Sequence, residues 1–242
     1  MTQLISKKNL RLDGRKLDEL RPIKLTVGVL KNADGSAYIE WGRNKIMAGV
    51  YGPKECHPKH MALPDRALLK CRYHMAPFSV DDRKPPQPSR REIELSKIIR
   101  EALSPAIVLE DFPRTAIEVY VEVLQSDGSS RIASITAASA ALADAGIPMR
   151  DLVVGCAVGK VQDKIVADVS DTEDKEGQVD LPVAFMPNLN LITLLQSDGA
   201  LTKDEFEKAF KLALEKGRYV YEIVRDALLE GFVGRKNEKE GN

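Results

Sequence analysis

Three short stretches of this 242-residue chain carry side chains suited to chemistry on anions. In Ser89-Arg90-Arg91-Glu92, an N-cap serine precedes two arginines in the first turn of a predicted helix. The helix macrodipole disfavours cations there by roughly 0.3–1 kcal/mol. An anion at the helix start, reached by the guanidiniums, would offset that cost. The ordinary alternative is two exposed arginines that tolerate it. Asp127-Gly128-Ser129-Ser130-Arg131 repeats the theme. Glycine lets the backbone approach a ligand, the serines offer hydroxyls, and first-turn N–H groups point outward. The plain alternative is a Ser-capped helix. Asp174 and Asp180 flank Gly177 at a predicted loop-to-strand junction. Such a pair can hold Mg²⁺ with several waters retained, or one member can exchange a proton with a leaving oxygen. Here the alternative is an acidic surface loop. Arginine-bearing helix starts combined with a carboxylate pair are the equipment of phosphoryl transfer. A P-loop is not the source: Gly155-Cys156-Ala157-Val158-Gly159-Lys160 is one residue short and lacks the following Ser or Thr.

Charge supports this division. The chain has 36 Lys+Arg and 36 Asp+Glu, a formal net charge of +0. Between Arg83 and Arg100, six basic residues face two acids, a local +4; between Asp163 and Asp180, seven acids face two lysines, a local −5. Segregation of this kind fits an anion site beside a cation site as well as it fits two solvated faces. Lys54, Lys59, Arg66, Lys70 and Arg72 outnumber Glu55 and Asp65, and Tyr73 is a candidate for stacking on a base. The alternative there is a solvated loop and an amphipathic strand with Tyr73 in the core. Aromatics are only 5% of the chain, which does not suit a surface built for stacking many bases, so phosphate contacts, and with them salt sensitivity, should dominate any binding of a nucleic acid. Cys56-His57 followed by His60 matches no common zinc spacing. Three cysteines without a CxxC pair fit a reducing cytoplasm better than a disulfide framework.

The elements that must position these groups are legible in outline. Hydrophobic residues make up 43% of the chain, enough for a core and too many for wholesale disorder. No apolar run approaches the roughly 18 residues that span a bilayer, and Met1 to Arg11 has no apolar signal region. Strands are predicted at 23–30, 37–41, 45–51, 70–78 and 117–123, the last from alternating Ile117, Val119, Val121 and Val123. A capping box at Ser89 and Glu92 opens a helix with an apolar face of Leu95, Ile98, Ile99, Ala102 and Leu103. A small-residue helix covers about 132–145. A hairpin turns at Gln162-Asp163, an acidic loop runs over 171–176, and strands follow at 179–186 and 189–196. Thr202 caps a long last helix, and a polar tail is expected from Arg235. Strands and helices come in blocks, so the class is α+β. The chain divides into an N-terminal extension (1–17), a core with the two helix starts (18–150), a part with the acidic loop and long helix (151–231) and a flexible tail (232–242).

Arg11-Leu12-Asp13-Gly14-Arg15, Pro53-Lys54-Glu55, Ser89-Arg90-Arg91-Glu92-Ile93-Glu94-Leu95, Asp127-Gly128-Ser129-Ser130-Arg131 and Asp174-x5-Asp180 occur in that order. Together they resemble the RNase PH family of phosphorolytic 3′→5′ exoribonucleases, and within it the catalytic branch of archaeal exosomes. The likeness runs from about Leu10 to Leu229. Bacterial members usually carry Gly-Gly-Thr-Arg where this chain has Gly-Ser-Ser-Arg, which favours the exosome branch. The resemblance implies an RNase PH fold: mixed β-sheets packed with helices, two βαβ-type halves in one compact unit. It implies inorganic phosphate as co-substrate, bound by Arg91, Ser129, Ser130 and Arg131. Arg90, with Arg91, would hold the RNA 3′ end, and Lys59, Arg66 and Tyr73 would guide the strand. Asp180 would be the catalytic carboxylate, joined by Asp174 around Mg²⁺ or Mn²⁺. The implied product is a nucleoside diphosphate, with the reverse reaction adding 3′ tails. The implied partners are single-stranded RNA, a non-catalytic paralogue alternating with this chain in a hexameric ring, and RNA-binding cap subunits, in the cytoplasm and without membrane contact. Two rivals stand beside this reading. A silent ring subunit is disfavoured because Arg91, the Ser-Arg loop and Asp180 coexist. A free RNA-binding module should carry net positive charge.

Overall fold

The computed structural model describes residues 4–6 and 9–240, with side chains through Val233. Alternating apolar residues build a first sheet from β1 (Ile23–Val27), β2 (Gly35–Trp41), β3 (Asn44–Glu55), β4 (Leu68–Met75) and β5 (Thr115–Gln125), in the order β1-β2-β3-β5-β4. Strand β5 buries Ile117, Val119, Val121 and Val123 and turns Glu118, Tyr120 and Glu122 to the opposite face. Pairings are antiparallel except β4 with β5, which are parallel and joined by helix α1 (Arg90–Leu103). A parallel pair needs such a crossover.

The second sheet holds β6 (Val154–Val161), β7 (Lys164–Ala167), β8 (Val179–Met186), β9 (Leu191–Leu195) and β10 (Asp198–Gly199), in the order β10-β8-β6-β7 with β9 also paired to β8. Every pairing here is antiparallel. The expected βαβ unit therefore occurs in the first half only. The β6–β7 hairpin turns at Gln162 and Asp163, both with positive φ (46° and 60°), as a type I′ turn requires.

Helix α2 (Ser130–Asp144) lies between the sheets, touching β2 and β3 on one side and β6 and β8 on the other. Its alanines and serines let both sheets approach. Gly35 at the start of β2 faces its C-terminal end so closely that an added Cβ would lie 2.4 Å from the Ala141 carbonyl oxygen. Val153, Val154, Ala184 and Met186 of the second half pack in one core with Ile39, Ile46 and Val121 of the first, so the halves are fused.

Two further expectations change. The acidic stretch is a short helix, α3 (Asp171–Glu176), not a loop: Ser170 and Glu173 form a reciprocal capping box. The final helix, α4 (Lys203–Glu240), runs on through most of the expected tail. It lies on β1 and is in close contact there as far as Gly231, where an added Cβ would meet Val27 Cγ2 at 2.3 Å; Phe232 and Val233 beyond it are exposed. Gly241 and Asn242, at the end of the expected tail, lie outside the described residues, as do 1–3 and 7–8 of the expected N-terminal extension. Among the described residues, no helix is long and apolar enough to cross a membrane.

Candidate active site

One cleft between the two sheets brings most of the predicted chemistry together. Arg91, Gly128, Ser129, Ser130, Arg131, Asp174 and Asp180 line it, along with Lys84, Asp171 and Lys175. The anion-binding candidates come from the first half and the carboxylates from the second.

The two helix starts differ. At α1 the capping box closes on itself: the Glu92 N–H donates to Ser89 Oγ at 3.3 Å, and the Ser89 N–H donates to Glu92 Oε2 at 2.6 Å. Glu92 also accepts the Met75 N–H at 2.7 Å, locking α1 to β4. Arg91 reaches the cleft by its side chain. At α2, Ser129 sits in the left-handed region (φ 54°) and makes no side-chain cap. Its hydroxyl donates instead to the Val169 carbonyl at 2.8 Å. The first-turn N–H groups of α2 therefore keep no cap, which decides against an ordinary Ser-capped helix. Of the two helix starts, only this second one lacks a side-chain cap.

The loop before α2 is held from behind. Asn44, fully buried, accepts the Asp127 N–H at 2.7 Å and donates to the Gly128 carbonyl at 2.7 Å. Arg21 donates to the Asp127 carbonyl and to that of Val169 at 3.3 Å. With the Asp127 and Gly128 carbonyls and the Asp127 N–H engaged on that side, the donors at the start of α2 are the ones that carry no side-chain cap. Gly128 is required here: its φ is +69°, and a Cβ would lie 2.5–2.6 Å from backbone atoms of residues 169–171. Arg131 donates to Gln196 Oε1 at 2.6 Å, and its buried Nε has no partner.

Asp180 lies on β8 opposite Gly159 and Asp198. Burial pushes its carboxyl up to about 6; Asp174 and Asp198 add repulsion, and Arg131 and Arg91 oppose the rise. Burial also raises Asp174, against the pull of Arg91 and Arg131 and with repulsion from Asp171 and Asp198. For both carboxyls, burial and repulsion from neighbouring carboxylates outweigh the pull of the two arginines. A divalent cation fits such a pair: Mg²⁺ is commonly held by one or two carboxylates plus water and substrate phosphate. Among the described residues no three His, Cys, Asp or Glu side chains gather in a ready-made cage.

Other predicted residues lie elsewhere. Tyr73 is 2% exposed, and its hydroxyl meets Ser130 Oγ at 3.3 Å. Strand alternation turns it into the core, so it supports the loop and cannot stack on a base. Arg90 is exposed at the first position of α1 and does not line the cleft. Exposed Lys59 pairs with Glu55 at 2.8 Å and exposed Arg66 with Asp65 at 2.9 Å, both outside the cleft. Cys56 is buried while His57 and His60 are exposed. Sequence reasoning missed Asn44, Arg21 and Asp168, whose partners lie about eighty to 150 residues away in the chain and leave no local signal. It counted Lys84 only in the basic run.

Residues 19–148 match the 3′ exoribonuclease family, domain 1, and residues 151–216 match domain 2 of the same family. The exosome complex component Rrp41 of Pyrococcus abyssi is 61% identical over 240 residues, covering 99% of this chain and 96% of its own length. Its namesake in Nitrosopumilus maritimus is 54% identical over 235 residues, 97% of this chain and 96% of its own. Among solved structures, rice Rrp46 superposes with a TM-score of 0.80 at 26% identity, over 90% of this chain and all of its own. A chain of the Archaeoglobus fulgidus exosome with RNA bound to the active site gives 0.78 at 25% identity, over 89% and 93%. With both family domains present in order and relatives more than half identical along nearly the whole length, this chain belongs to the RNase PH family of 3′ exoribonucleases.

Proposed function

We propose that this chain is the catalytic RNase PH-like subunit of an archaeal-type exosome, removing nucleotides from RNA 3′ ends with inorganic phosphate as the attacking group. One observation carries the reading: the uncapped start of α2, Arg91 and Arg131 share a cleft with Asp174 and Asp180. A silent structural subunit has no need of that combination.

The steps follow from the geometry. Phosphate oxygens accept from the first-turn N–H groups of α2, and Arg91 and Arg131 supply charge where it develops in the transition state. A phosphate oxygen bonds to the terminal phosphorus, the bond from that phosphorus to O3′ breaks, and O3′ takes a proton. Asp180, held near 6 by burial, keeps a proton in part of the population near neutral pH and is matched to that transfer. Asp174 on α3 is the carboxylate left to hold Mg²⁺ or Mn²⁺ beside Asp180. When bound, that cation supplies charge screening between phosphate and RNA. A phosphodiester is exchanged for an anhydride, so nucleoside diphosphates in excess drive tailing in reverse. Strand β9 exposes Leu191, Ile192 and Leu195, an apolar strip that a neighbouring ring subunit would cover.

The test is product analysis with the chain alone and mixed with its paralogue. Nucleoside diphosphates that appear only with phosphate and a divalent metal are expected. Nucleoside monophosphates in phosphate-free buffer would mean hydrolysis and end this reading.

A further inference from the structure

The Arg11–Arg15 motif has no task in the mechanism above, yet its arginines are among the most buried charges in the molecule. Arg11, Arg15 and Arg21 are 3%, 8% and 6% exposed and converge on Asp168 and Glu173, at 1% and 3%. Arg21 forms a two-pronged pair with Asp168, Nε to Oδ2 at 2.9 Å and Nη2 to Oδ1 at 2.6 Å. The same guanidinium bonds the carbonyls of Asp127 and Val169, so it ties the loop before α2 to the chain entering α3. Arg11 acts one step further along. Its Nε donates to Glu173 Oε1 at 2.7 Å, and its Nη groups donate to the carbonyls of Ala167 at 2.5 Å and Asp168 at 2.8 Å. Glu173 in turn accepts the Ser170 N–H at 2.9 Å and closes the cap of α3, the helix that bears Asp174 at the next position.

We infer that Arg21 and Arg11 are positioning residues that divide the active site between them: Arg21 sets the phosphate loop, and Arg11, through Glu173, sets the carboxylate helix. A planar fork with fixed donor directions does this, and a lysine ammonium at the same place keeps the charge but loses the second prong and the carbonyl contacts. Arg15, bonded to Asp13 Oδ2 at 2.6 Å and to Asp168 Oδ2 at 3.3 Å, braces the same cluster.

The inference rests on the phosphorolytic reading, and the experiment separates the two. Wild type, Arg21→Lys and Arg11→Lys are each assembled with the paralogous subunit and checked for melting and ring formation. Phosphorolysis is then measured against inorganic phosphate well below the melting temperature. Arg21→Lys should raise the KM for phosphate about tenfold or more with the smaller change in kcat. Arg11→Lys should lower kcat by a similar factor with KM for phosphate nearly unchanged. Should either variant fail to assemble, Glu173→Gln, which keeps the cap and weakens the Arg11 pair, and Asn44→Ser, which loosens only the loop, repeat the split. Wild-type constants in folded variants, or one common factor on both constants, would overturn the inference. A wild-type complex that ignores phosphate would overturn the function instead.

Discussion

Asp180→Asn should abolish catalysis and at the same time make the protein more stable. Burial, with repulsion from Asp174 and Asp198, lifts this carboxyl from 3.8 to about 6. The folded state therefore binds its proton more tightly than the unfolded chain does. Wild-type stability accordingly falls as pH rises from about 4 to about 6 and stays level above that window. Asparagine has the same shape and no charge to desolvate, so it escapes the loss. The gap corresponds to roughly 3 kcal/mol at most, and water at the cleft mouth screens part of it. About 1–3 kcal/mol in a chain of this size raises the melting temperature by roughly 3–10 °C. The assay is thermal melting of the purified chain in EDTA without phosphate, from about pH 4.5 to about pH 8. The variant should melt above wild type at the alkaline end, with the advantage shrinking to about a third at the acid end, while degradation and tailing are both lost. A variant that melts at or below wild type near pH 8, or whose advantage ignores pH, refutes the account of a carboxylate strained by burial. Normal turnover at saturating Mg²⁺ would remove Asp180 from the chemistry altogether.

Three further outcomes are expected. Arg91→Ala should lower kcat/KM for phosphorolysis by roughly 10- to 150-fold, the worth of a charge-assisted contact at about 1.5–3 kcal/mol. Its melting temperature should hold, because Arg91 is exposed and makes no hydrogen bond or ion pair among the described residues. Gly128→Ala puts a methyl group against the backbone of residues 169–171 at a positive φ, so melting and phosphate use should both suffer, by about 1–3 kcal/mol in stability; an unchanged KM for phosphate would show that the loop is not the anion site. The chain alone should degrade RNA poorly and gain processivity when mixed with its paralogue, and full processivity from a proven monomer would contradict that.

What the sequence revealed depended on how local the physics was. The α1 capping box, the alternation in β5 and the type I′ hairpin each rest on neighbours a few residues apart, and each was readable. Helix α3 reads as a loop because six residues with one buried side chain show no apolar period, although Ser170 and Glu173 carry the cap signal. Tyr73 was proposed for stacking although it sits in step with buried Leu69 and Met75 on β4; the period pointed inward and its aromatic type suggested otherwise. The carboxylate pair and the two arginine-bearing stretches were visible as motifs. That they face one cleft was not, since their meeting depends on α2 being packed between two sheets. The buried arginine cluster was still less visible, because a charged residue in a sequence gives no sign that its partner lies 147 positions away.

The placement of Arg91 and Arg131 before residue 150 and of Asp174 and Asp180 after it has a temporal side. A ribosome releases the chain from its N-terminus, so the anion-binding half emerges while the carboxylates are still unmade or in the exit tunnel. A chain that ends before β8 lacks Asp180, and its α2 lacks part of the second sheet on which it packs. The cleft is complete only when β8 is docked against β6 and α2. A copy that has not finished assembling its core therefore has no complete cleft.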